Sequence, residues 1–125
     1  MTIALLGTDM CLYALAGSHP RLRERLEDRE PGSVAISAVT LAEIALGSAN
    51  GKAPPVEVLD AFVEQIILLD FDGAAAWAYA SLPFRRGRFD RLLGAHALSL
   101  GAVLVTDNER DFADIPGLQI ENWTL

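Results

Sequence analysis

Residues 2–17 read TIALLGTDMCLYALAG. Ile3 to Leu6 form a short apolar run, Gly7-Thr8-Asp9 interrupts it, and a second apolar run begins at Met10. A short apolar segment bounded by glycine suits a buried strand. Thr8 or Asp9 can cap a helix that runs to about Ala16 and is closed by Gly17. The chain therefore opens strand, turn, helix, and leaves an acid just beyond the carboxyl end of the strand.

The same unit recurs. SVAIS (33–37) reads as a second buried strand, followed by the helix AVTLAEIALGSANG (38–51). AVLVT (102–106) is the clearest strand, and LQIENW (118–123) gives a shorter last one. Between them lie helical segments. SHPRLRERLED (18–28) is polar, with Ser18 as cap and Pro20 in the first turn. VEVLDAFVEQI (56–66) follows Pro54-Pro55 and carries apolar residues at Val58, Phe62, Val63 and Ile66. DGAAAWAYASLPF runs to a brake at Pro83, and FDRLLGAHALSLG (89–101) is apolar almost all round, hence buried. IILLDF (66–71) fits a strand or the end of a helix, and periodicity does not choose. Strands alternating with helices predict an α/β fold, a three-layer α/β/α sandwich around a short, mostly parallel sheet, in one domain spanning 1–125.

Composition narrows the function classes. A hydrophobic fraction of 51% excludes disorder, and the apolar runs break before the ~20 residues a membrane span needs. The start of the chain lacks a secretory signal, and a single cysteine, Cys11, forms no internal disulfide and suits a reducing cytoplasm. The net charge of −7 is a poor match for a polyanion, so nucleic-acid binding needs a local basic patch. RRGRFDR (85–91) supplies one, with Arg85, Arg86, Arg88 and Arg91.

In a parallel sheet, ligands gather beyond the carboxyl ends of the strands. Asp9 follows the first strand, Glu43 sits about one turn into the helix after the second, and Asp107 and Asp111 follow VLVT. Asp90 opens the helix that leads into that last segment. Singly, Asp9 and Asp90 serve as helix caps and Asp107-Asn108 as a turn. Glu43 is harder to explain away. Its helical neighbours three and four residues off are Val39, Thr40, Leu46 and Gly47, none of them basic. Two carboxylates ~5 Å apart repel by roughly 3 kcal/mol at an effective dielectric near 20, and several such pairs approach the ~5–15 kcal/mol stability of a whole domain. A divalent cation removes that conflict, and an all-oxygen donor set selects Mg²⁺ or Mn²⁺. Zinc is disfavoured, because His19, His96 and Cys11 show no ligand spacing, and His96 on an apolar helix reads as a core histidine. An acidic metal centre suits hydrolysis of phosphodiesters, with the arginine cluster holding the backbone or, alternatively, only solubilising a loop.

At this point the sequence resembles the PIN-domain ribonucleases, and within them the VapC-type toxins of prokaryotic toxin–antitoxin systems. LLGTDMCLYALAG is similar to the family's opening strand and helix. VAISAVTLAEIALG resembles the segment carrying its glutamate, at Glu43. RGRFDRLLGAHALSLGAVLVTDNERDF resembles the block with its third acid, at Asp90, and the last Thr-containing turn, and IPGLQIENW the usual ending. The resemblance implies a Mg²⁺- or Mn²⁺-dependent endoribonuclease cutting tRNA, rRNA or mRNA. It also implies a homodimer, with higher toxin–antitoxin assemblies, inhibited by a VapB-like antitoxin. As ligands or catalytic groups it points to Glu43, Asp90, Asp9, Asp107 and Asp111, with Thr8, Thr106 and Asn108 supporting them.

One departure stands out. Where the family's first motif carries a ligand Asp, this chain has Gly7, and the family's Asn position is Asp9. Either Asp9 reaches the metal from two residues further on, or the chain is an inactive variant. A different class of reading is a PIN-like module that only binds an antitoxin and helps it repress DNA. A phosphotransfer receiver also clusters acids at strand ends, but no lysine follows the last strand here.

Overall fold

The computed structural model describes residues 2–83 and 89–125. Among the described residues, five strands form one sheet: β1 (Ala4–Leu6), β2 (Val34–Ser37), β3 (Ile67–Leu69), β4 (Val103–Val105) and β5 (Gln119–Glu121). Their order is β3-β2-β1-β4-β5, and every pairing is parallel. The helices are α1 (Thr8–Ala16), α2 (Pro20–Glu27), α3 (Ala38–Ala49), α4 (Val56–Gln65), α5 (Gly73–Ala80) and α6 (Phe89–Leu100), and a 3-10 helix spans Glu109–Phe112. The α/β expectation holds, with the sheet parallel throughout.

Side chains alternate across a strand, and this splits the core into two layers. Ala4 and Leu6 face Met10, Cys11, Leu22, Ile44 and Leu59, so α1 to α4 cover one face. Leu5, Ala35 and Leu104, aligned in register, face Leu93, Ala97, Phe112 and Ile115 on the other. The segment 66–71 resolves as strand, because Ile67 to Leu69 pair with Ala35 to Ser37. On α4 Phe62, Val63 and Ile66 pack against the core as expected, but the buried residue at the start of the stripe is Leu59, and Val58 is 43% exposed. Ser18 does not cap α2: His19 holds that position, and the Ser18 hydroxyl lies 2.7 Å from the His19 ring instead. His96 is indeed a core residue. Its Nδ1 lies 2.7 Å from Ser37 Oγ, and burial pushes its pKa down, which keeps the ring neutral.

Close approach of α6 to the 3-10 helix depends on Gly94. A Cβ there would lie 2.5 Å from Ile115 Cδ1 and 3.4 Å from Phe112 Cδ1. Gly94→Ala is therefore expected to destabilise the fold by roughly 1–3 kcal/mol through overpacking, measurable by urea denaturation.

The chain builds outward from β1 through β2 to β3, then returns to lay β4 and β5 on the other side of β1. The direction of winding reverses between β1 and β4, and a crevice at their carboxyl ends is the expected ligand position.

Candidate active site

A groove of about 430 Å³ opens at that reversal. Gly7, Thr8 and Asp9 enter it from the end of β1, Asp90 and Leu93 from α6, Thr106, Asp107 and Asn108 from the end of β4, and Phe112 from behind. Glu43, on α3, is tied to this groove through Thr8. Thr8 Oγ1 donates to Glu43 Oε1 at 2.7 Å and lies 3.3 Å from the buried Thr40 Oγ1. Burial pushes the Glu43 carboxyl above its ordinary range, the Thr8 bond opposes that, and the charge of Asp90 adds to the rise. Segments 47 residues apart thus bring two carboxylates into one electrostatic neighbourhood.

Asp9 is placed differently. It lies in the first turn of α1, but Gly7 occupies the N-cap position and no side chain caps the helix, which corrects the reading of Asp9 or Thr8 as a cap. Asp9 Oδ2 accepts from Thr106 Oγ1 at 2.8 Å and from the Asp107 N–H at 3.0 Å, and Oδ1 accepts from the Met10 N–H at 2.8 Å. Burial, then the contact with the Asp107 carboxyl, push its pKa up. Asp107 is exposed and held low by Asp9 and by Tyr13, whose hydroxyl donates to Oδ2 at 2.7 Å. That bond raises the Tyr13 hydroxyl to about 12. Tyr13 in turn stacks on His19, with ring centroids 4.0 Å apart.

Of the two outer acids, Asp107 lines the groove, while Asp111 accepts from Asn108 Nδ2 at 2.7 Å. The Thr106 hydroxyl also accepts from the Asn108 N–H at 3.1 Å. Arg91 requires a correction. It is 4% exposed, paired with Asp114 at 2.8 Å and donating to the Pro83 carbonyl at 2.9 Å, so it braces the fold and does not face RNA. Arg91→Ala is expected to lower stability by roughly 1–3 kcal/mol in chemical denaturation while leaving RNA affinity unchanged. Arg85, Arg86 and Arg88 lie outside the described residues. Thr40 and Tyr13 were missed as parts of the site. Thr40 precedes Glu43 by three residues and Tyr13 follows Asp9 by four, so helical spacing alone places each beside an acid.

Among the described residues, no three of His, Cys, Asp and Glu gather closely enough to form a complete protein cage for a metal. Mg²⁺ does not require one. It is commonly held by one or two carboxylates together with waters and substrate phosphates. Glu43 and Asp90 fit that donor set in kind and number.

A strand-end acidic groove at the reversal point of a parallel sheet is the ligand position of an open α/β domain. Residues 4–118 match the family model described as the PIN domain. A tRNA(fMet)-specific endonuclease VapC from Shigella flexneri is 33% identical, with 96% of this chain and 97% of that one covered. Ribonuclease VapC2 from Rickettsia felis is 30% identical, covering 97% and 98%. Among solved structures, VapBC2 from Rickettsia felis bound to a DNA fragment from its promoter superposes with a TM-score of 0.84 at 30% identity, covering 98% of this chain and 99% of that one. DNA-bound VapBC from Salmonella typhimurium gives the same TM-score, identity and coverage. This chain belongs to the PIN-domain family, among its VapC-type ribonuclease toxins.

Proposed function

We propose that this protein is an endoribonuclease toxin that cuts RNA (a tRNA, rRNA or mRNA) in the cytoplasm and is held in check by a VapB-like antitoxin. It acts as a single PIN-like domain, assembling as a homodimer and, with the antitoxin, into larger complexes. The observation that carries the reading is Glu43, tied to the groove at the β1–β4 reversal through Thr8, where burial and the charge of Asp90 both disfavour its ionised form.

Glu43 and Asp90 would hold Mg²⁺ or Mn²⁺. When bound, such a cation offsets charge on the scissile phosphate and makes a coordinated water more acidic. The chain's own residues supply orientation. The Thr8 hydroxyl fixes Glu43 Oε1, with Thr40 packed behind it. Asp107 and Asn108 form the opposite rim, in reach of a substrate lying along the groove. Arg85, Arg86 and Arg88, immediately before Asp90 in sequence, are assigned to the phosphate backbone, a contact that is independent of base identity. Gly7 leaves the floor one side chain short, and we assign this chain a correspondingly low cleavage rate.

The alternative of a module that only binds an antitoxin is not favoured, since the relatives are named ribonucleases and endonucleases. The test is cleavage of a labelled RNA by the purified protein with Mn²⁺ and with EDTA. Cutting that needs Mn²⁺ supports the reading. Cutting that survives EDTA removes the metal, and binding of antitoxin without any cutting at millimolar Mn²⁺ returns the alternative.

A further inference from the structure

We propose that Asp9 is a positioning residue rather than a metal ligand: its carboxylate takes the space of the side chain missing from Gly7 and, from there, holds the turn after β4 against the first turn of α1. Gly7 and Asp9 then work as a coupled pair. The hold of Asp9 on the turn after β4 is independent of the nuclease reading, while its contrast with a metal ligand rests on that reading.

Gly7 has φ −68° and ψ 165°, ordinary extended backbone that any residue adopts. Conformational freedom therefore does not explain the glycine; space does. A Cβ at position 7 would lie 2.8 Å from Asp9 Oδ1 and 3.0 Å from the Val105 carbonyl oxygen. The backbone has little room to retreat, because the Gly7 N–H donates to that same carbonyl at 2.8 Å and the Gly7 carbonyl accepts from the Cys11 N–H at 3.1 Å.

The carboxylate in that space is heavily engaged. A carboxylate offers about four acceptor positions, and three are taken by Thr106 Oγ1, the Asp107 N–H and the Met10 N–H. These bonds join the beginning of α1 to residues 97 and 98 positions away. One turn along α1, Tyr13 grips the Asp107 side chain. Asp107 is thus held by its backbone through Asp9 and by its carboxylate through Tyr13, and both attachments stand on one helix. What Asp9 positions is the rim residue, Asp107, together with Thr106, whose hydroxyl anchors the Asn108 N–H.

A double-mutant cycle without metal tests the coupling. In EDTA, Gly7→Ala is expected to lower the melting temperature by roughly 5–10 °C, because its methyl meets Oδ1. In an Asp9→Ala background the same change should lower it by less than half as much; equal effects in both backgrounds overturn the coupling. In amide correlation spectra, Asp9→Ala should shift the Asp107 and Asn108 resonances while those of Leu5 and Leu104 in the sheet stay in place. An unmoved Asp107 amide overturns the positioning role. Calorimetric titration with Mn²⁺ separates strut from ligand. Asp9→Asn is expected to lose no more than the ~100-fold in affinity that removing a group acting through a ligand can cost, whereas a larger loss makes Asp9 a ligand and sinks the proposal. If the parent itself binds no Mn²⁺, the cation reading of the groove fails, and the metal-free cycle and spectra still decide the coupling.

Discussion

Glu43→Gln is expected to reduce Mn²⁺-dependent RNA cleavage by roughly 10³-fold while making the metal-free protein more stable at neutral pH. The first effect follows from removing one of the two carboxylates proposed to hold the divalent ion, with a loss comparable to deleting a strong preorganised electrostatic contact. The second follows from the same geometry read without the ion. Burial and Asp90 both disfavour the charge on Glu43. Glutamine keeps an oxygen for the Thr8 hydroxyl but carries no charge to desolvate. Activity and metal-free stability thus move in opposite directions, which a generally damaging substitution does not do.

The pH dependence has a definite sign. The ordinary Glu43 value is 4.5, and folding raises it. In the interval between 4.5 and the raised value, the folded protein binds the proton and the unfolded chain has lost it, so stability falls as pH rises through that window. Glu43→Gln lacks this loss. The difference in melting temperature between the variant and the parent should be near zero below pH 4 and grow to a plateau above the folded value. Saturating Mn²⁺ should reverse it by stabilising only the parent, by mass action on the folded state. A variant that melts below the parent in EDTA at pH 8 would show that Glu43 is not under repulsion, and the cation argument would lose its footing.

The layers of the fold were legible because each apolar run is bounded by glycine, proline or a polar turn, and because apolar strands on both sides of a sheet need helices on both faces. Glu43 was legible for a related reason: no base lies within helical reach of it, so its partner must come from elsewhere. What escaped the sequence depends on rotation and on distance. RRGRFDR reads as one basic patch, yet once α6 begins at Phe89 the helical phase turns Arg91 inward, onto an Asp114 that lies 23 residues on. On α4 a single step of phase exchanges Val58 for Leu59. No local pattern announces that Asp9 bonds across 97 residues to Thr106, or that Gly7 is vacant so that Asp9 can fill it. A motif read along the chain gives the residue types at the groove; only the packing says which of them point into it.

That distinction sets the outcome of adding an acid at position 7. Gly7→Asp alone is expected to fold poorly and to gain little activity. Its Cβ meets Asp9 Oδ1, and the new carboxylate faces a second one at a separation where like charges repel by roughly 3 kcal/mol. Combining it with Asp9→Asn removes the charge conflict, keeps an amide oxygen at position 9 to accept from Thr106 and the Asp107 N–H, and gives the floor of the groove a carboxylate with few hydrogen bonds already committed. The double variant is expected to cut RNA roughly 10²-fold faster than the parent in Mn²⁺, on the scale of one added preorganised charge, and to show a larger Mn²⁺-induced rise in melting temperature. The order of rates should be double variant, then Gly7→Asp, then parent, with Asp9→Asn alone close to the parent. A double variant no faster than the parent would mean that position 7 does not face the reacting phosphate, and that the low rate assigned to this chain has another cause. A parent already as fast as the double variant would mean that Glu43, Asp90 and the rim suffice, and that the vacancy at Gly7 carries no penalty for catalysis.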